Sequence, residues 1–193
     1  MVKTAILTSE YAEVQKAFER KGKQYYYLNL LPKEDGDMTI CLQSLLDHEP
    51  TEEDKTEVLT AYAEIVRRAL LQQIALYDQS AEVNTFTIDG NSGWWDKATR
   101  VGLANSIAAE QAAGESSTTL YLGDHAIQCT IDQAKELLQQ IELYAVKCYR
   151  QTETHRAAVA TLTDAAALEA YDYRAGYPVT LTLTTTPLSA DGE

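Results

Sequence analysis

The chain has little cysteine, histidine or positive charge. It contains three cysteines, three histidines and 16 Lys or Arg residues against 29 Asp or Glu residues. The cysteines and histidines are scattered, without the spacing of a zinc site or a disulfide framework. We therefore expect reduced thiols, no metal ion and no cofactor. The formal net charge of −13 opposes binding to nucleic acid or an anionic membrane, because neutralising phosphates requires clustered basic residues. A basic partner, or none, fits this charge better.

Long apolar runs are missing as well. The first apolar stretch, residues 4–8, is short and is followed by Glu10 and Glu13, so neither a signal peptide nor a membrane span is expected. With 193 residues, of which 45% are hydrophobic, the chain can bury a core as one domain or two small ones. These features are typical of a soluble globular protein.

The motifs of common enzyme classes are also missing. The sequence contains no Walker loop, dinucleotide-binding turn, nucleophile elbow or zinc-protease helix. The glycine-rich segment 89–93 matches none of these spacings, and the acidic segment 49–57 lacks the ligand pattern of an EF-hand. The sequence therefore identifies no catalytic residue and predicts a protein that is not an enzyme.

The first 50 residues predict a small α/β unit that starts like a βαβ motif. Ser9 is suited to begin a helix, and Gly22 is suited to end it. The predicted segments are a strand at 4–7, a helix at 9–20, a strand at 24–31 and a polar break at 32–37. An antiparallel or unpaired arrangement of the strands is the alternative.

A long helix is predicted after Thr51. Three acidic residues follow this capping hydroxyl, at the end of the helix where the dipole favours negative charge. The predicted apolar stripe comprises Val58, Tyr62, Ile65, Ala69 and Leu76. The helix is expected to run to about Tyr77, and segment 78–83 is the predicted boundary between two parts of the chain.

The second half of the sequence contains several local structure signals. The predicted segments are a strand at 84–88, a turn at Asp89-Gly90, a helix from about Asp96 to Gly114, and a hairpin of 118–122 with 125–129 around Gly123-Asp124. A short last helix through Tyr171 and a strand at 180–186, followed by a tail, complete the prediction.

A second long helix is predicted to begin at Thr130, which forms a capping box with Gln133. The positions predicted to pack, which we call the 134–162 seam, alternate four and three residues apart. They are Ala134, Leu138, Ile141, Ala145, Cys148, Thr152, His155, Val159 and Leu162. Such a repeat favours supercoiled pairing, either with helix 58–76 of the same chain or with a second copy.

Three blocks of the second half resemble a known family. They are Asp-Lys-Ala-Thr-Arg-Val-Gly-Leu at 96–103, Tyr-Asp at 171–172 and Gly-Tyr-Pro at 176–178. Together they resemble an uncharacterised domain family of phage and prophage proteins, some of them tail-associated and common in gut Bacteroides elements. The resemblance covers residues 84–178, with a looser similarity at 45–51, and the family has no established activity.

The resemblance implies a setting and not a reaction. It implies a non-enzymatic structural or assembly protein of a phage or prophage, in the bacterial host cytoplasm or the virion. Its partners would be other phage proteins, or further copies of the chain bound through the long helices. We expect an α+β fold with a small N-terminal α/β unit at 1–50, a long helix and linker at 51–83, a phage-associated domain at 84–178, and a terminal strand and tail at 179–193.

The predicted contact surface comprises Trp94, Trp95, Arg100 and Tyr177. Adjacent tryptophans point to opposite faces, so one of them is a candidate for contact with a ligand or partner. In the alternative, one anchors the core and the other covers a neighbouring helix. Arg100 would either bind a carboxylate of the partner or pair with Asp96 on its own helix.

Two residues of the 134–162 seam have a catalytic and a structural interpretation. His155 is either a general base or a hydrogen-bonded interior histidine, and Cys148 is either a nucleophile or a small packed hydrophobe. The structural interpretation is favoured for both, because neither has a partner motif in the sequence.

Two other function classes remain open. One is a small hydrolase or ligand-binding enzyme with its site near Trp94, which a cleft with paired acid and base groups would favour. The other is an acidic regulator that mimics nucleic acid, which one strongly acidic face would favour.

Overall fold

The computed structural model describes residues 1–185, and its helices and strands form an α+β fold, as predicted. The helices are α1 (Glu52–Asp78), α2 (Ala81–Asn84), α3 (Lys97–Ala112), α4 (Ile131–Thr161) and α5 (Ala165–Glu169). The strands are β1 (Val2–Leu7), β2 (Val14–Arg20), β3 (Lys23–Asp35), β4 (Met38–Leu46), β5 (Phe86–Ile88), β6 (Asn91–Gly93), β7 (Ser117–Leu122), β8 (His125–Thr130) and β9 (Thr182–Leu183). The predicted strand at 180–186 is thus shorter, and its last residue and the tail lie outside the described residues.

The chain forms two compact units. The first unit comprises Met1–Leu71 and Ala158–Tyr171, and the second comprises Gln72–Ala157 and the described residues from Asp172 onwards. The divisions fall inside α1 and α4. Independent folding of 84–178, as a domain separate from 1–50 and 51–83, stays a prediction.

The sheet of the first unit is antiparallel throughout, with the strand order β1-β4-β3-β2. The predicted βαβ-like start is therefore wrong, and residues 14–20 form a strand instead of a helix. Val14 and Phe18 are four residues apart, a spacing that fits one face of a helix and also alternate positions of a strand. Lys21 and Gly22 have φ values of 52° and 75° between the paired residues Arg20 and Lys23. These values define a type I′ hairpin turn, so Gly22 serves this turn and does not end a helix.

The predicted polar break at 32–37 is also wrong in part, because β3 continues to Asp35. The register of β3 against β4 shifts between Leu30 and Lys33, and Leu31 has a φ of 52°. Pro32 lies within this irregularity, where the missing N–H of proline costs no ladder hydrogen bond. The strand therefore accommodates Pro32 as a bulge.

A buried amide ties the first sheet to the connection between β1 and β2. Asn29 is fully buried, and its Nδ2 donates to the carbonyl of Ala12 at 2.8 Å. Its Oδ1 accepts a hydrogen bond from Gln43 Nε2 at 3.0 Å. Because a buried amide without partners is costly, these bonds fix the connection against β3 and β4.

Helix α1 starts as predicted. Thr51 Oγ1 accepts from the Asp54 amide at 3.3 Å, and Asp54 Oδ2 accepts from the Thr51 amide at 2.8 Å. The predicted apolar stripe is wrong in its second half, where Ile65, Ala69 and Leu76 are exposed. The buried positions are Val58, Tyr62, Ala63, Leu70 and Ile74, at spacings of four, one, seven and four residues. The stripe therefore does not keep the alternating repeat of a supercoiled helix.

The second unit contains a three-stranded sheet and a hairpin. Strand β5 lies between β6, to which it is antiparallel, and β9, to which it is parallel. Asp89 and Gly90 form a type I′ turn, with φ values of 50° and 79°. The β7–β8 hairpin is present as predicted, and the φ of 60° at Gly123 fits the first central position of a type II′ turn.

The core of the second unit brings strands and helices together. Its largest cluster of buried side chains comprises Phe86, Ile88, Trp95, Ile107, Leu120, Leu122, Ile127, Cys129, Ile131, Ala134, Leu137, Leu138, Ile141 and Leu183. Most residues of the 134–162 seam are buried, as predicted. At Leu138 and Ile141 they lie in this core, to which strands and helices contribute almost equally. Supercoiled pairing of α4 with another long helix stays a prediction.

The segment predicted as a linker, 78–83, is structured. Val83 is buried, and its carbonyl accepts hydrogen bonds from Tyr144 Oη at 2.9 Å and Cys148 Sγ at 3.4 Å. Asn84 Nδ2 donates to the carbonyl of Asp78 at 2.6 Å. These bonds hold the turn between α1 and β5 against α4.

Candidate functional site

Trp94 and Trp95 lie between the end of β6 and the start of α3 and have opposite environments. Trp95 is 4% exposed, its Nε1 donates to the carbonyl of Tyr121 at 2.9 Å, and its ring meets Phe86 edge-on at 5.3 Å. Trp94 is 42% exposed. Trp95 therefore anchors this segment to the core, while Trp94 presents a large amphipathic ring to solvent.

The local backbone fixes the position of Trp94. A side chain at Gly93 would meet Leu122 at 2.3 Å, so only glycine lets β6 approach β7 this closely. On the other side, Asp96 Oδ1 accepts from the Thr99 amide at 2.7 Å and caps α3. This hydrogen bond lowers the pKa of the Asp96 carboxyl. Trp94 is thus held between a glycine contact and a helix cap.

Trp94 lines a cleft of about 550 Å³ within the second unit, which we call the Trp94 cleft. Its lining residues are Asp78, Asn84, Trp94, Asp96, Lys97, Arg100, Glu142, Ala145, Val146, Cys148 and Tyr149. Tyr149, which carries a second large aromatic ring, is 57% exposed. The cleft therefore combines two accessible aromatic rings with charged groups.

Arg100 connects α3 to α4 across the cleft. Its Nε donates to Glu142 Oε2 at 2.6 Å, and its Nη1 donates to the carbonyl of Trp95 at 2.8 Å. The side chain is only 12% exposed. Its partner is thus Glu142 and not Asp96, whose carboxylate caps α3 instead.

The charge lining the Trp94 cleft is slightly negative. Three carboxylates, those of Asp78, Asp96 and Glu142, face two cationic side chains, those of Lys97 and Arg100. Asp78 Oδ1 accepts a hydrogen bond from the Thr152 hydroxyl at 2.6 Å. The Arg100 side chain is largely buried and is paired with Glu142. Among these lining residues Lys97 is therefore the one exposed cation.

The thiols of the second unit are buried. Cys148 is 2% exposed, and burial raises the pKa of its thiol above the ordinary value. Burial also raises the pKa of the Cys129 thiol. Both thiols are therefore protonated at neutral pH, which agrees with the interpretation of Cys148 as a packed hydrophobe.

His155 and Tyr177 belong to a second cluster, in which His155 is buried and Tyr177 is partly buried. The Tyr177 ring stacks on His155 at 5.6 Å and meets Tyr77 edge-on at 5.3 Å, and its hydroxyl lies 2.9 Å from Thr152 Oγ1. His155 Nε2 lies 2.8 Å from the carbonyl oxygen of Ala175 and 3.1 Å from Gln151 Nε2. His155 is thus a hydrogen-bonded interior histidine.

The structure therefore divides the four residues of the predicted contact surface. Trp94 and Arg100 line one cleft, whereas Trp95 lies in the core and Tyr177 packs, partly buried, against His155. Burial raises the pKa of the Tyr177 hydroxyl. Only Trp94 is a strongly accessible member of the set.

Sequence reasoning did not identify the α4 residues of the cleft. Glu142, Val146 and Tyr149 are four and three residues apart, so they form a stripe beside the 134–162 seam. The available signal was Tyr149, a large aromatic residue outside the buried repeat of a predicted helix.

Comparison with known proteins gives no relative of this chain, since no family model, curated protein or solved structure matches it. Within residues 1–185, no group of three His, Cys, Asp or Glu side chains is arranged to hold a metal ion. None of the described helices has the length and apolar character required to cross a membrane.

Proposed function

We propose that this protein is a non-enzymatic structural or assembly component of a phage or prophage, associated with the tail, and that it acts through protein–protein contacts at the Trp94 cleft. The phage setting rests on the resemblance of segments 96–103, 171–172 and 176–178. The contact role rests on the geometry of the cleft. It functions in the bacterial host cytoplasm or in the virion.

One observation carries the contact role, namely the exposure of Trp94. Trp94 is 42% exposed although the neighbouring Trp95 is almost fully buried, and Arg100, which lines the same cleft, is held by Glu142. Tryptophan, tyrosine and arginine are the residues that most often dominate the binding energy of protein interfaces. A cleft that brings together Trp94, Tyr149 and Arg100 supports contact with a partner.

Cys129 and Cys148 are buried and protonated, and His155 is hydrogen-bonded in the interior. These observations favour a contact role over nucleophilic catalysis. Each of these groups is engaged in packing or in a hydrogen bond inside the second unit.

Purified particles test the phage setting. After induction of the prophage that encodes the chain, mass spectrometry of the particles and of assembly intermediates is expected to detect it. A pull-down with wild type and with Trp94→Ala is expected to differ in one or a few phage proteins. The proposal is overturned if the protein is missing from particles and intermediates alike and both baits capture the same set.

A ligand-binding enzyme is the second candidate, favoured by the size of the cleft. A volume of about 550 Å³ lies within the usual range of small-molecule sites. Turnover of a small substrate by the purified protein, abolished by Trp94→Ala, would replace the contact role with this candidate.

A further inference from the structure

Strand β1 is one edge of the sheet in the first unit, and little protects it from pairing with a further strand. The strand order β1-β4-β3-β2 leaves one side of β1 without a neighbour among the described strands. Its six residues pair with β4 in one unbroken register. The sequence Val-Lys-Thr-Ala-Ile-Leu has no proline and one charged residue, Lys3, which pairs with Glu169 of the same chain. A regular edge of this kind is a template for another strand.

The opposite edge of the sheet, β2, is protected. The register of β2 against β3 shifts between Lys16 and Glu19, so a bulge interrupts the strand. Lys16, Glu19 and Arg20 are exposed charged residues on this edge. Bulges and charged side chains are the usual features that keep an edge strand from pairing. The two edges therefore differ, and only β1 is suited to extend the sheet.

The hydrogen bonds of β1 indicate which of its backbone groups point away from β4. The Thr8 amide donates to the Asp37 carbonyl at 2.8 Å, and this pair continues the register of β1 against β4. Hydrogen-bonded and non-hydrogen-bonded pairs alternate in an antiparallel ladder. Residues 2, 4 and 6 therefore direct their N–H and C=O groups to β4, and those of Lys3, Ala5 and Leu7 point to the open side.

We propose that this protein forms a dimer in which β1 pairs antiparallel with β1 of a second copy, about a two-fold axis at Ala5. In this register Ala5 is opposite Ala5 of the second copy, and Lys3 is opposite Leu7 in both directions. Each of these three pairs exchanges two hydrogen bonds. Moving the axis by one residue leaves only two such pairs within β1, so the register at Ala5 satisfies the most backbone groups of the strand.

The side chains of β1 also fit a second copy. Thr4 would lie opposite Ile6, and β-branched side chains pack well in cross-strand pairs. Lys3 would lie opposite Leu7, so no two like charges face each other. Val2 and Leu7 are 60% and 45% exposed, and the neighbouring strand would cover part of both. The edge is therefore complementary to itself in charge and in apolar surface.

The pairing closes after two copies. A two-fold interface uses the same strand of both copies, so no free β1 edge remains, and the protected β2 strands become the two ends of one eight-stranded sheet. The net charge of −13 on each chain opposes the approach of a second copy. At physiological ionic strength this repulsion is screened beyond about 8 Å, so it does not prevent contact at an edge that carries few charges.

The first test measures the oligomeric state of the full chain by light scattering at submillimolar concentration, where wild type should be a dimer. Ala5→Pro removes an N–H that points away from β4, a position where an edge strand tolerates proline. This variant should be monomeric, with an unfolding midpoint close to that of wild type.

Val14→Pro on β2 is the matched control. The Asn29 amide donates to the Glu13 carbonyl at 2.7 Å, in the register that places Val14 opposite Leu28. By the same alternation, the N–H of Val14 also points to the open side of its strand. Val14→Pro therefore alters the other edge in the same way and should remain dimeric.

A charge exchange at Ala5 tests the register without proline. Ala5 is exposed, and the two-fold axis places both copies of this residue opposite each other. Ala5→Lys and Ala5→Glu should each be monomeric, because like charges directly opposite destabilise a strand pair. An equimolar mixture of the two variants should form a heterodimer, with an affinity at least tenfold higher than that of either variant for itself.

Amide hydrogen exchange identifies the surface that is paired. The amides of Lys3 and Leu7 should exchange at least tenfold more slowly in the wild-type dimer than in monomeric Ala5→Lys. The amides of Thr4 and Ile6 are bonded to β4 in both states and should change little. This alternation along one strand is a readout that association through any other surface would not produce.

Three results would overturn the proposal. The first is a wild-type protein that stays monomeric at millimolar concentration. The second is a dimer that persists in Ala5→Pro and in both charged variants, since the copies would then associate through another surface, such as the long helices. The third is a mixture of Ala5→Lys and Ala5→Glu that stays monomeric. The contact role of the Trp94 cleft concerns a different surface and is tested separately by the particle and pull-down experiments.

Discussion

Trp94 and Trp95 are neighbours in the chain, yet the first is 42% exposed and the second 4%. The Nε1–H of Trp95 is bonded to the Tyr121 carbonyl at 2.9 Å, whereas the Trp94 ring lines an open cleft. One residue therefore serves the stability of the fold, and its neighbour is free to serve contact with another molecule.

Substitutions at the two positions should separate these roles. Trp95→Ala should cost about 3 to 5 kcal/mol of unfolding free energy, the usual range for truncating a buried Trp. Trp95→Phe, which leaves the Tyr121 carbonyl without its donor, should cost about 1 to 3 kcal/mol. Trp94→Ala should stay within about 1 kcal/mol of wild type. Urea unfolding measures all three, and a Trp94 effect as large as that of Trp95 would contradict the assignment.

Burial along α4 yields a second prediction with a control on the same helix. Ile141 is 2% exposed in the core of the second unit, whereas Leu143 is 55% exposed. Ile141→Ala should cost about 2 to 5 kcal/mol, and Leu143→Ala less than about 0.5 kcal/mol. Similar losses for both variants would show that α4 is buried on a different face.

The helix cap beside the cleft predicts a pH dependence. The Thr99 amide lowers the pKa of Asp96 in the folded state. The contribution of this carboxylate to the free energy of unfolding is therefore fully present above the unfolded pKa of about 3.9. It is lost as the pH falls through the lowered pKa of the folded state. At pH 7 the unfolding midpoint of Asp96→Ala should therefore lie below that of wild type, and the difference should shrink by pH 3.

The control for this prediction is Asp96→Asn, since asparagine caps a helix without titrating. Its midpoint should stay close to wild type at pH 7. A difference between wild type and Asp96→Ala that persists unchanged at pH 3 would show that the carboxylate charge contributes nothing.

The limits of the second unit predict how fragments behave. Fragment 84–178 lacks Val83 and Leu183, which are 2% and 5% exposed, while fragment 78–185 keeps both. Burying two such side chains is worth about 3 to 6 kcal/mol. The longer fragment should therefore be more stable by that amount in urea unfolding. Equal stabilities would confirm 84–178 as the complete folding unit.

Much of this fold follows from signals that act over four residues or fewer. The capping boxes at Thr51 and Thr130, the Asp96 cap and the turn residues at 89–90 and 123–124 each satisfy backbone groups locally. Such interactions do not depend on the rest of the chain, so the sequence predicts them well.

The errors arise where a local pattern has two solutions. Val14 and Phe18 fit a helix or a strand equally, and pairing with β3 decides in favour of the strand. Ile65 and Leu76 are apolar but exposed, because burial on α1 follows tertiary packing and not the alternating repeat.

The candidate site was predictable only in part. Trp94 stands out in the sequence because adjacent tryptophans cannot share one environment. Glu142 lies 42 residues beyond its partner Arg100, and Tyr149 reaches the cleft from α4. Contacts of this kind depend on how α3 and α4 pack, and no local spacing encodes them.

The most direct test of the central claim, contact through the Trp94 cleft, is site-specific photocrosslinking during prophage induction. Benzoylphenylalanine is placed at position 94, at position 149, or at the control position 121, where Tyr121 is 64% exposed outside the cleft. Positions 94 and 149 should crosslink to the same segment of one partner protein, and position 121 should not. The account is contradicted if neither cleft position crosslinks, or if all three positions yield the same products.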